Sequence, residues 1–215
     1  MLYRTLPDCI ERLAEGGVRV AALTNGANLK GRMAEAFAQH GTWVRILLDA
    51  WDDASYVASR GAPDNAFSRL FDNIGAFMAR TSRCVLGASF IIGHDNHSHI
   101  REVCALLRDA GANHVKLSGA VVGNDVVANN RYHRTITKAV AQEIAAAKEL
   151  TTDGFAVIDH YHELEERFDK DYTTCPFLMF LTAIGADGKV YTCQDKAYTE
   201  NGFLGSIVRR RFRGF

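Results

Sequence analysis

The sequence has no excess of charge of either sign. Its 215 residues include 25 Lys and Arg against 25 Asp and Glu, so the formal net charge is zero. Proteins dedicated to nucleic-acid binding normally carry a basic excess, and we therefore expect no nucleic-acid partner. The one basic run, at Arg209, Arg210, Arg211 and Arg213, is interpreted as a solvated helix face or a frayed end.

Long hydrophobic runs and closely spaced cysteines are also missing. No apolar stretch approaches the ~18 residues of a transmembrane helix. Arg4, Pro7 and Asp8 stand where a signal peptide needs apolar residues, so we expect a cytoplasmic protein without a membrane partner. Five cysteines are present, and the nearest two are 18 positions apart, which argues against a disulfide framework.

What is present is ordinary globular composition arranged as alternating strands and helices. Hydrophobic residues make up 47% of the chain and charged residues 23%, which is enough apolar material for a sizeable core. Apolar runs predict strands at 18–23, 44–48, 85–92, 115–117 and 155–158. Apolar residues spaced three and four positions apart predict helices at 29–39, 67–78, 100–107 and 136–150, with Asn96 as the N-cap of the third helix.

This alternation at intervals of roughly 30 residues predicts βαβ units with parallel strands. The strands are nearly all apolar, as expected when both faces of a sheet are covered. A doubly wound sheet and a partial (β/α) barrel both fit. The nucleotide-binding motifs G-x-G-x-x-G and G-x-x-x-x-G-K-[ST], and the serine hydrolase motif G-x-S-x-G, are absent from the sequence.

The chain changes character near Asp169. Residues 181–186 and 189–193 predict two antiparallel strands joined by a two-residue turn at Asp187-Gly188. We therefore expect two domains, 1–168 and 169–215, the second a small antiparallel module.

Polar residues follow most of the predicted parallel strands. They are Thr24, Asn25, Asp49, His94, Asp95, Asn96 and Ser118. Any strand that ends in solvent becomes polar, but together these residues describe one rim suited to a polar small molecule.

Two groups of residues have side chains that bind metals. His94, Asp95 and His97, with Asp49, are candidate zinc or iron ligands, although a capped loop rich in histidine also explains them. Asp52, close by, is expected to start a helix together with Asp53.

The second group is a pair of cysteines that bracket the predicted hairpin. Cys175 and Cys193 offer two thiolates, half of a tetrahedral sulfur site, or they are reduced hairpin cysteines. Cys9 and Cys104 lie on apolar helix faces and are expected in the core.

These features together resemble the radical S-adenosylmethionine (SAM) enzymes with a C-terminal SPASM or Twitch module. The segment Leu23-Thr24-Asn25-Gly26 is similar to the third barrel strand of that family and its T-N-G turn, and residues 44–50 are similar to its fourth strand. Phe90 to Asn96 and Val115 to Leu117 look like the fifth and sixth strands. Cys175, Gly188 and Cys193 fit the C-x(9–15)-G-x(4)-C spacing of the module.

The resemblance implies a partial parallel (β/α) TIM-like barrel with a small antiparallel C-terminal hairpin module. It implies SAM at a rim formed by Thr24, Asn25, Asp49 and Arg60, and a [4Fe–4S] cluster whose ligands include Cys175 and Cys193. In this family a 5′-deoxyadenosyl radical from SAM abstracts hydrogen from a peptide or small-molecule substrate.

Two motifs of the family are missing. Neither C-x-x-x-C-x-x-C, which holds the SAM-cleaving cluster, nor the G-G-E-P turn occurs in the sequence. The expectation is therefore a fragment that begins after the second barrel strand and does not cleave SAM by itself. The open edge should expose apolar surface and favour association. The alternatives are a non-catalytic half-barrel that binds a ligand and an unrelated metal-dependent (β/α) enzyme.

Overall fold

A computed structural model describes residues 3–123, 126–161 and 174–208. The chain divides into two compact units, Met1–Phe168 and Asp169–Phe215. The basic run that begins at Arg209 lies outside the described residues. In the described part of the chain, no helix is both long enough and apolar enough to cross a membrane.

The larger unit is built on a parallel sheet of five strands. The strands are β1 (Val20–Thr24), β2 (Gly41–Leu48), β3 (Val85–Ile92), β4 (His114–Gly119) and β5 (Ala156–Asp159). They lie in the order β1-β2-β3-β4-β5, and every neighbouring pair is parallel. The sheet confirms the predicted α/β class. Because the spatial order follows the chain order without a switch point, the sheet is barrel-like and not doubly wound.

Seven helices are described around this sheet. They are α1 (Leu6–Glu15), α2 (Gly31–His40), α3 (Asp53–Arg60), α4 (Ala66–Met78), α5 (Ile100–Asp109), α6 (Val126–His133) and α7 (Thr137–Lys148).

Helix periodicity predicted the core correctly. The apolar positions of α5 (Ile100, Val103, Cys104 and Leu107) are all buried. Of the six apolar positions that predicted α4, Phe67, Leu70, Ile74 and Phe77 are buried, whereas Phe71 and Met78 are partly buried and pack against the core. Residues three and four positions apart share one helix face, so each helix presents a continuous apolar stripe.

The two faces of the sheet differ. Val44, Ile46 and Leu48 of β2 are fully buried, whereas the intervening residues are partly exposed, and β4 alternates in the same way. The expectation that both faces are covered is therefore wrong for β2 and β4, whereas it holds for the middle of β3, where residues 86–90 are all buried. The other face of the sheet is called the open face below. It carries the odd-numbered residues of β1–β3 and the even-numbered residues of β4 and β5.

The smaller unit is a three-stranded antiparallel sheet of β6 (Ala183–Ile184), β7 (Lys189–Tyr191) and β8 (Phe203–Ser206). The predicted hairpin is present, but the two-residue turn is wrong. The Gly185 N–H donates to Lys189 O at 2.8 Å, the Gly188 N–H donates to Gly185 O at 3.0 Å, and Gly188 has φ 70°. The loop therefore has three residues and ends in a glycine with left-handed backbone conformation.

Candidate functional site

The carboxyl ends of β2, β3 and β4 meet around a cavity of about 360 Å³. Asp49 and Trp51 follow β2, Gly93 and Asn96 follow β3, and Ala120 follows β4. In parallel α/β folds this edge of the sheet is where ligands bind, because the variable loops converge there. Of the seven residues of the predicted polar rim, Asp49, Asp95 and Asn96 line this cavity.

Asp49 is held by Arg60 in a two-point ion pair. Arg60 donates from Nε to Oδ1 of Asp49 at 2.9 Å, and its second nitrogen lies 2.7 Å from Oδ2. Arg60 is the last residue of α3, whose first turn is fixed by a capping box between Asp52 and Ser55. The helix that Asp52 and Asp53 were expected to start is thus present, and it delivers the guanidinium to the rim.

Hydrogen bonds also lower the pKa values of the two acidic residues at the start of α3. The backbone N–H of Ser55 is the largest cause for Asp52, and the hydroxyl of Ser68 is the largest cause for Asp53. Both carboxylates therefore act as local hydrogen-bond acceptors, which agrees with the prediction that these two residues start a helix.

Asn96 joins the ends of two strands and is 5% exposed. Its Nδ2 donates to the carbonyl oxygens of Asp49 and Ile91, both at 2.8 Å, and its Oδ1 accepts from the N–H of Gly93 at 2.8 Å. The prediction that Asn96 caps α5 is wrong, because its side chain makes no cap bond and the N-cap of α5 is His99. The amide satisfies rim carbonyls that would otherwise be left without a donor.

Thr24 and Asn25 occupy a separate turn at the end of β1. The hydroxyl of Thr24 accepts from the N–H of Gly26 at 3.1 Å, and Asn73 donates to Gly26 O at 3.1 Å. Thr24 is in register with Ile46, three residues before Asp49, which is roughly 10 Å along a strand. The structure therefore brings Asp49 and Arg60 together, whereas Thr24 and Asn25 do not line the same cavity.

The histidines near this rim each have a separate partner. The rings of His94, His97 and His99 contact the carbonyl of Tyr132 at 2.6 Å, the carbonyl of His94 at 2.8 Å and the carboxylate of Glu102 at 2.7 Å, respectively. Across the described residues, no group of three or more His, Cys, Asp or Glu side chains is placed to hold a metal ion. The histidine-rich loop interpretation therefore fits these contacts better than the metal-centre alternative.

Sequence reasoning missed the aromatic contacts of the rim. Trp51 stacks on His99 with ring centroids 4.1 Å apart and planes 3° apart. A second chain of rings runs from His94 through Tyr132 and His133 to Tyr161. Neither set follows a helical or strand period, so no pattern in the sequence identifies them.

A second cavity of about 500 Å³ lies beside β5. It is lined by α6 and α7 residues such as His133, Ile144 and Lys148, together with Asp159 and Tyr161. The buried ring of His133 contacts Ala120 O at 2.8 Å and the Tyr161 hydroxyl at 3.0 Å, which fixes the floor of the cavity. None of the residues predicted for the site lines it.

The cysteines fall into two environments. Burial raises the pKa of Cys84 to about 11 and that of Cys104 to about 12. Cys104 is in the core as predicted, whereas Cys9 is only partly buried. Cys175 and Cys193 are free and partly exposed, and each immediately precedes one turn of 3-10 helix, at Pro176–Met179 and Gln194–Lys196.

No known protein-family profile matches the sequence, and no curated protein matches it. Solved structures do resemble the fold. SuiB of Streptococcus suis bound to S-adenosylmethionine superimposes with a TM-score of 0.62 at 11% identity, over 95% of this chain and 49% of that chain. SuiB bound to its precursor peptide SuiA gives a TM-score of 0.62 at 12% identity over the same shares.

A structure of TYW1 with a lysine-pyruvate adduct bound is a further neighbour. It gives a TM-score of 0.50 at 16% identity, over 68% of this chain and 47% of that chain. The chain therefore spans about half the length of the solved structures it matches. At these identities the likeness establishes the fold, which is the predicted partial parallel barrel with a small antiparallel unit.

Proposed function

We propose that this chain is part of a radical SAM enzyme that acts on a peptide or small molecule. The observation that carries the proposal is the similarity to SuiB, which covers 95% of the chain and includes a structure with SAM bound. The sequence motifs at Thr24, Asn25, Asp49 and Arg60 point independently to the same family.

Asp49 and Arg60 are the residues that we assign to SAM at the rim. The two carboxylate oxygens of Asp49 are already fixed by Arg60, and each retains a further lone pair that can accept from a ribose hydroxyl. Thr24 and Asn25 belong to the neighbouring turn. The Thr24 hydroxyl accepts from the N–H of Gly26, and Thr24 is buried, so we assign Thr24 to shaping the turn and the exposed side chain of Asn25 to direct contact.

The residues present fit the proposed iron–sulfur groups only in part. A [4Fe–4S] cluster uses up to four cysteine ligands. Without two cysteines closer than 18 positions, the sequence does not provide the ligands of a SAM-cleaving cluster. We assign Cys175 and Cys193 to an auxiliary cluster of the smaller unit, for which they supply two thiolates.

The proposed substrate class follows from the SuiB complex with its precursor peptide. A peptide is therefore the first candidate, and a polar small molecule at the rim is the second. In this family a reduced iron–sulfur cluster splits SAM and starts radical chemistry, so we expect no turnover from this chain alone.

Binding of SAM to the chain tests the assignment of the rim. Equilibrium dialysis with labelled SAM should show saturable binding, and Asp49→Ala should weaken it by about tenfold, the usual effect of losing a charged hydrogen bond. Asp64→Ala is the matched control, because Asp64 is an exposed carboxylate outside the cavity. Absence of saturable binding, or an equal effect of both substitutions, would overturn the assignment.

Anaerobic reconstitution with iron and sulfide tests the cysteines separately. The chain should gain iron–sulfur absorbance that depends on Cys175 and Cys193 and is unaffected by Cys84→Ala. Cys84 is a suitable control because it is buried with a pKa raised to about 11. Equal iron incorporation in the Cys193→Ala variant would contradict the proposed ligands.

A non-catalytic half-barrel that binds a ligand is the second candidate function. The observation in its favour is that residues of the strand ends form the 360 Å³ cavity, while the C-x-x-x-C-x-x-C motif is absent from the sequence. SAM binding without any iron incorporation would favour this candidate over the enzyme.

A further inference from the structure

Two buried polar atoms lack a hydrogen-bond partner in the described part of the chain, namely Arg45 Nε and His114 Nε2. Burying a donor without an acceptor costs about 1–3 kcal/mol, so native proteins rarely tolerate it without a reason. Both atoms belong to the open face of the sheet, away from the rim residues described above.

Strand register brings the two side chains toward each other. Arg45 of β2 is in register with Gly87 of β3, and Gly87 is in register with His114 of β4. A Cβ on Gly87 would lie 2.2 Å from His114 Nε2. The imidazole of His114 therefore lies directly over Gly87, which is the residue of β3 between His114 and Arg45.

The guanidinium of Arg45 is also held in place. Its Cζ lies 5.4 Å from the ring centroid of Trp43, which precedes it by two residues on the same face. At this distance a cation–π interaction restricts the guanidinium without using any of its N–H donors. The donors of Arg45 thus remain available for an acceptor.

Within the described strands β1–β5, the open face carries basic side chains and no acidic one. Lys116 lies two residues beyond His114 on the same face, in register with Ser89. In strands β1–β5 no Asp or Glu occupies this face, since Asp159 is in register with buried Leu117 and belongs to the opposite one. Burial, and then the charge of Arg45, lower the pKa of His114, as expected when a nearby anion is missing.

Apolar side chains surround this basic cluster. Leu23, Leu47 and Ile158 are 59%, 37% and 38% exposed on the open face. Leu47 and Lys116 are both in register with Ser89, so an aliphatic contact surface directly adjoins the charged groups. A ligand that is complementary to this surface has one anionic group, which only accepts hydrogen bonds, and a short aliphatic chain.

We propose that the open face binds a short aliphatic carboxylic acid, with the carboxylate between Arg45 and His114 and beside Lys116. Arg45 Nε can donate to one oxygen of a carboxylate, and His114 Nε2 can donate to the other in the imidazolium or in the tautomer that carries its proton on Nε2. A monoanion also costs less to transfer into this half-buried position than a phosphate dianion. The inference does not depend on the proposed function, because it uses none of the rim residues or cysteines.

Nuclear magnetic resonance of the histidine rings in the 215-residue protein is the direct test, with pentanoate as the probe and pentanamide as its neutral match. Pentanoate should shift the His114 signal saturably and raise the pKa of His114, because a nearby anion favours the imidazolium. His114→Gln identifies the signal. No shift, or the same shift with pentanamide, would overturn the site, and an equal response to inorganic phosphate would overturn the preference for a carboxylate.

Variants test the geometry of the site. Arg45→Gln should weaken pentanoate binding about tenfold, whereas Arg69→Gln, on the exposed surface of α4, should not. Gly87→Ala displaces the imidazole without changing any charge and should also weaken binding. Its control is Gly75→Ala, whose added Cβ would meet nothing within 4 Å. Unchanged binding in both Arg45→Gln and Gly87→Ala would refute the proposal.

Thermal unfolding of the unmodified protein gives a readout that needs no variant. A ligand that binds only the native state raises the midpoint in proportion to its occupancy. Pentanoate should therefore raise the unfolding temperature relative to equal concentrations of pentanamide and of sodium chloride. Equal midpoints in all three solutions would contradict binding.

Discussion

Replacement of Asn96 by alanine should destabilise the larger unit more than any other exchange of a single polar residue at the rim. Three hydrogen bonds of 2.8 Å end on this amide, and the side chain is 5% exposed. Alanine would leave the N–H of Gly93 and the carbonyls of Asp49 and Ile91 without their present partners.

The expected loss follows from these three bonds. Each hydrogen bond contributes about 1 kcal/mol net to the free energy of unfolding, and a buried partner group left without a hydrogen bond costs about 1–3 kcal/mol. Because Asn96 borders the 360 Å³ cavity, water can replace part of what is lost. We therefore expect a decrease of about 3 kcal/mol in the free energy of unfolding, a large share of the roughly 5–15 kcal/mol of a typical domain.

Urea unfolding followed by tryptophan fluorescence measures this decrease. The only two tryptophans, Trp43 and Trp51, both lie in the larger unit, so the signal reports that unit. Asn25→Ala is the matched control, because Asn25 is exposed and accepts one bond at 3.3 Å, and it should cost under about 0.5 kcal/mol. A loss below about 1 kcal/mol for Asn96→Ala would refute the argument that this amide joins the strand ends.

Three further predictions concern other parts of the larger unit. Gly26→Ala should destabilise it by about 2 kcal/mol in the same urea assay, since Gly26 has φ 75° and an added Cβ would lie 2.3 Å from Leu70 Cδ1; an unchanged midpoint would contradict this. The lowered pKa of His114 means that the unfolded chain binds more protons, so stability should fall as the pH drops below about 6.5. His114→Gln should make stability depend less on pH below about 6.5. An equally steep pH dependence in this variant would be evidence against the lowered pKa of His114. Cys84 and Cys104, with pKa values raised to about 11 and about 12, should resist a thiol reagent in the native protein while the other three of the five cysteines react; five reactive thiols without denaturant would show that this burial is wrong.

The exposed apolar residues of the open face agree with the surface that the sequence predicted for an open half-barrel. Leu23 of the edge strand β1 is the most exposed of them. Association of the chain remains a prediction, and sedimentation at several protein concentrations would measure it. A monomer at every concentration would contradict it.

The sequence by itself determined the elements that repeat with a local period. The stripes of α4 and α5 could be predicted because their burial follows from a spacing of three and four residues. The parallel pairing of the strands followed from the alternation of strands and helices, and the start of α3 at Asp52 and Asp53 followed from the preference for acidic residues in the first turn of a helix. All of these depend on residues close together in sequence.

Tertiary structure decided the contacts that join distant positions. Asn96 reaches Asp49 across 47 residues, so nothing near it in the sequence distinguishes a bridge between strands from a helix cap. Likewise, strand register alone places Arg45, Gly87 and His114 side by side. A period-two pattern says which residues share a face of one strand, but the partner strand and its register fix which side chains meet, and these are set only when the whole sheet assembles.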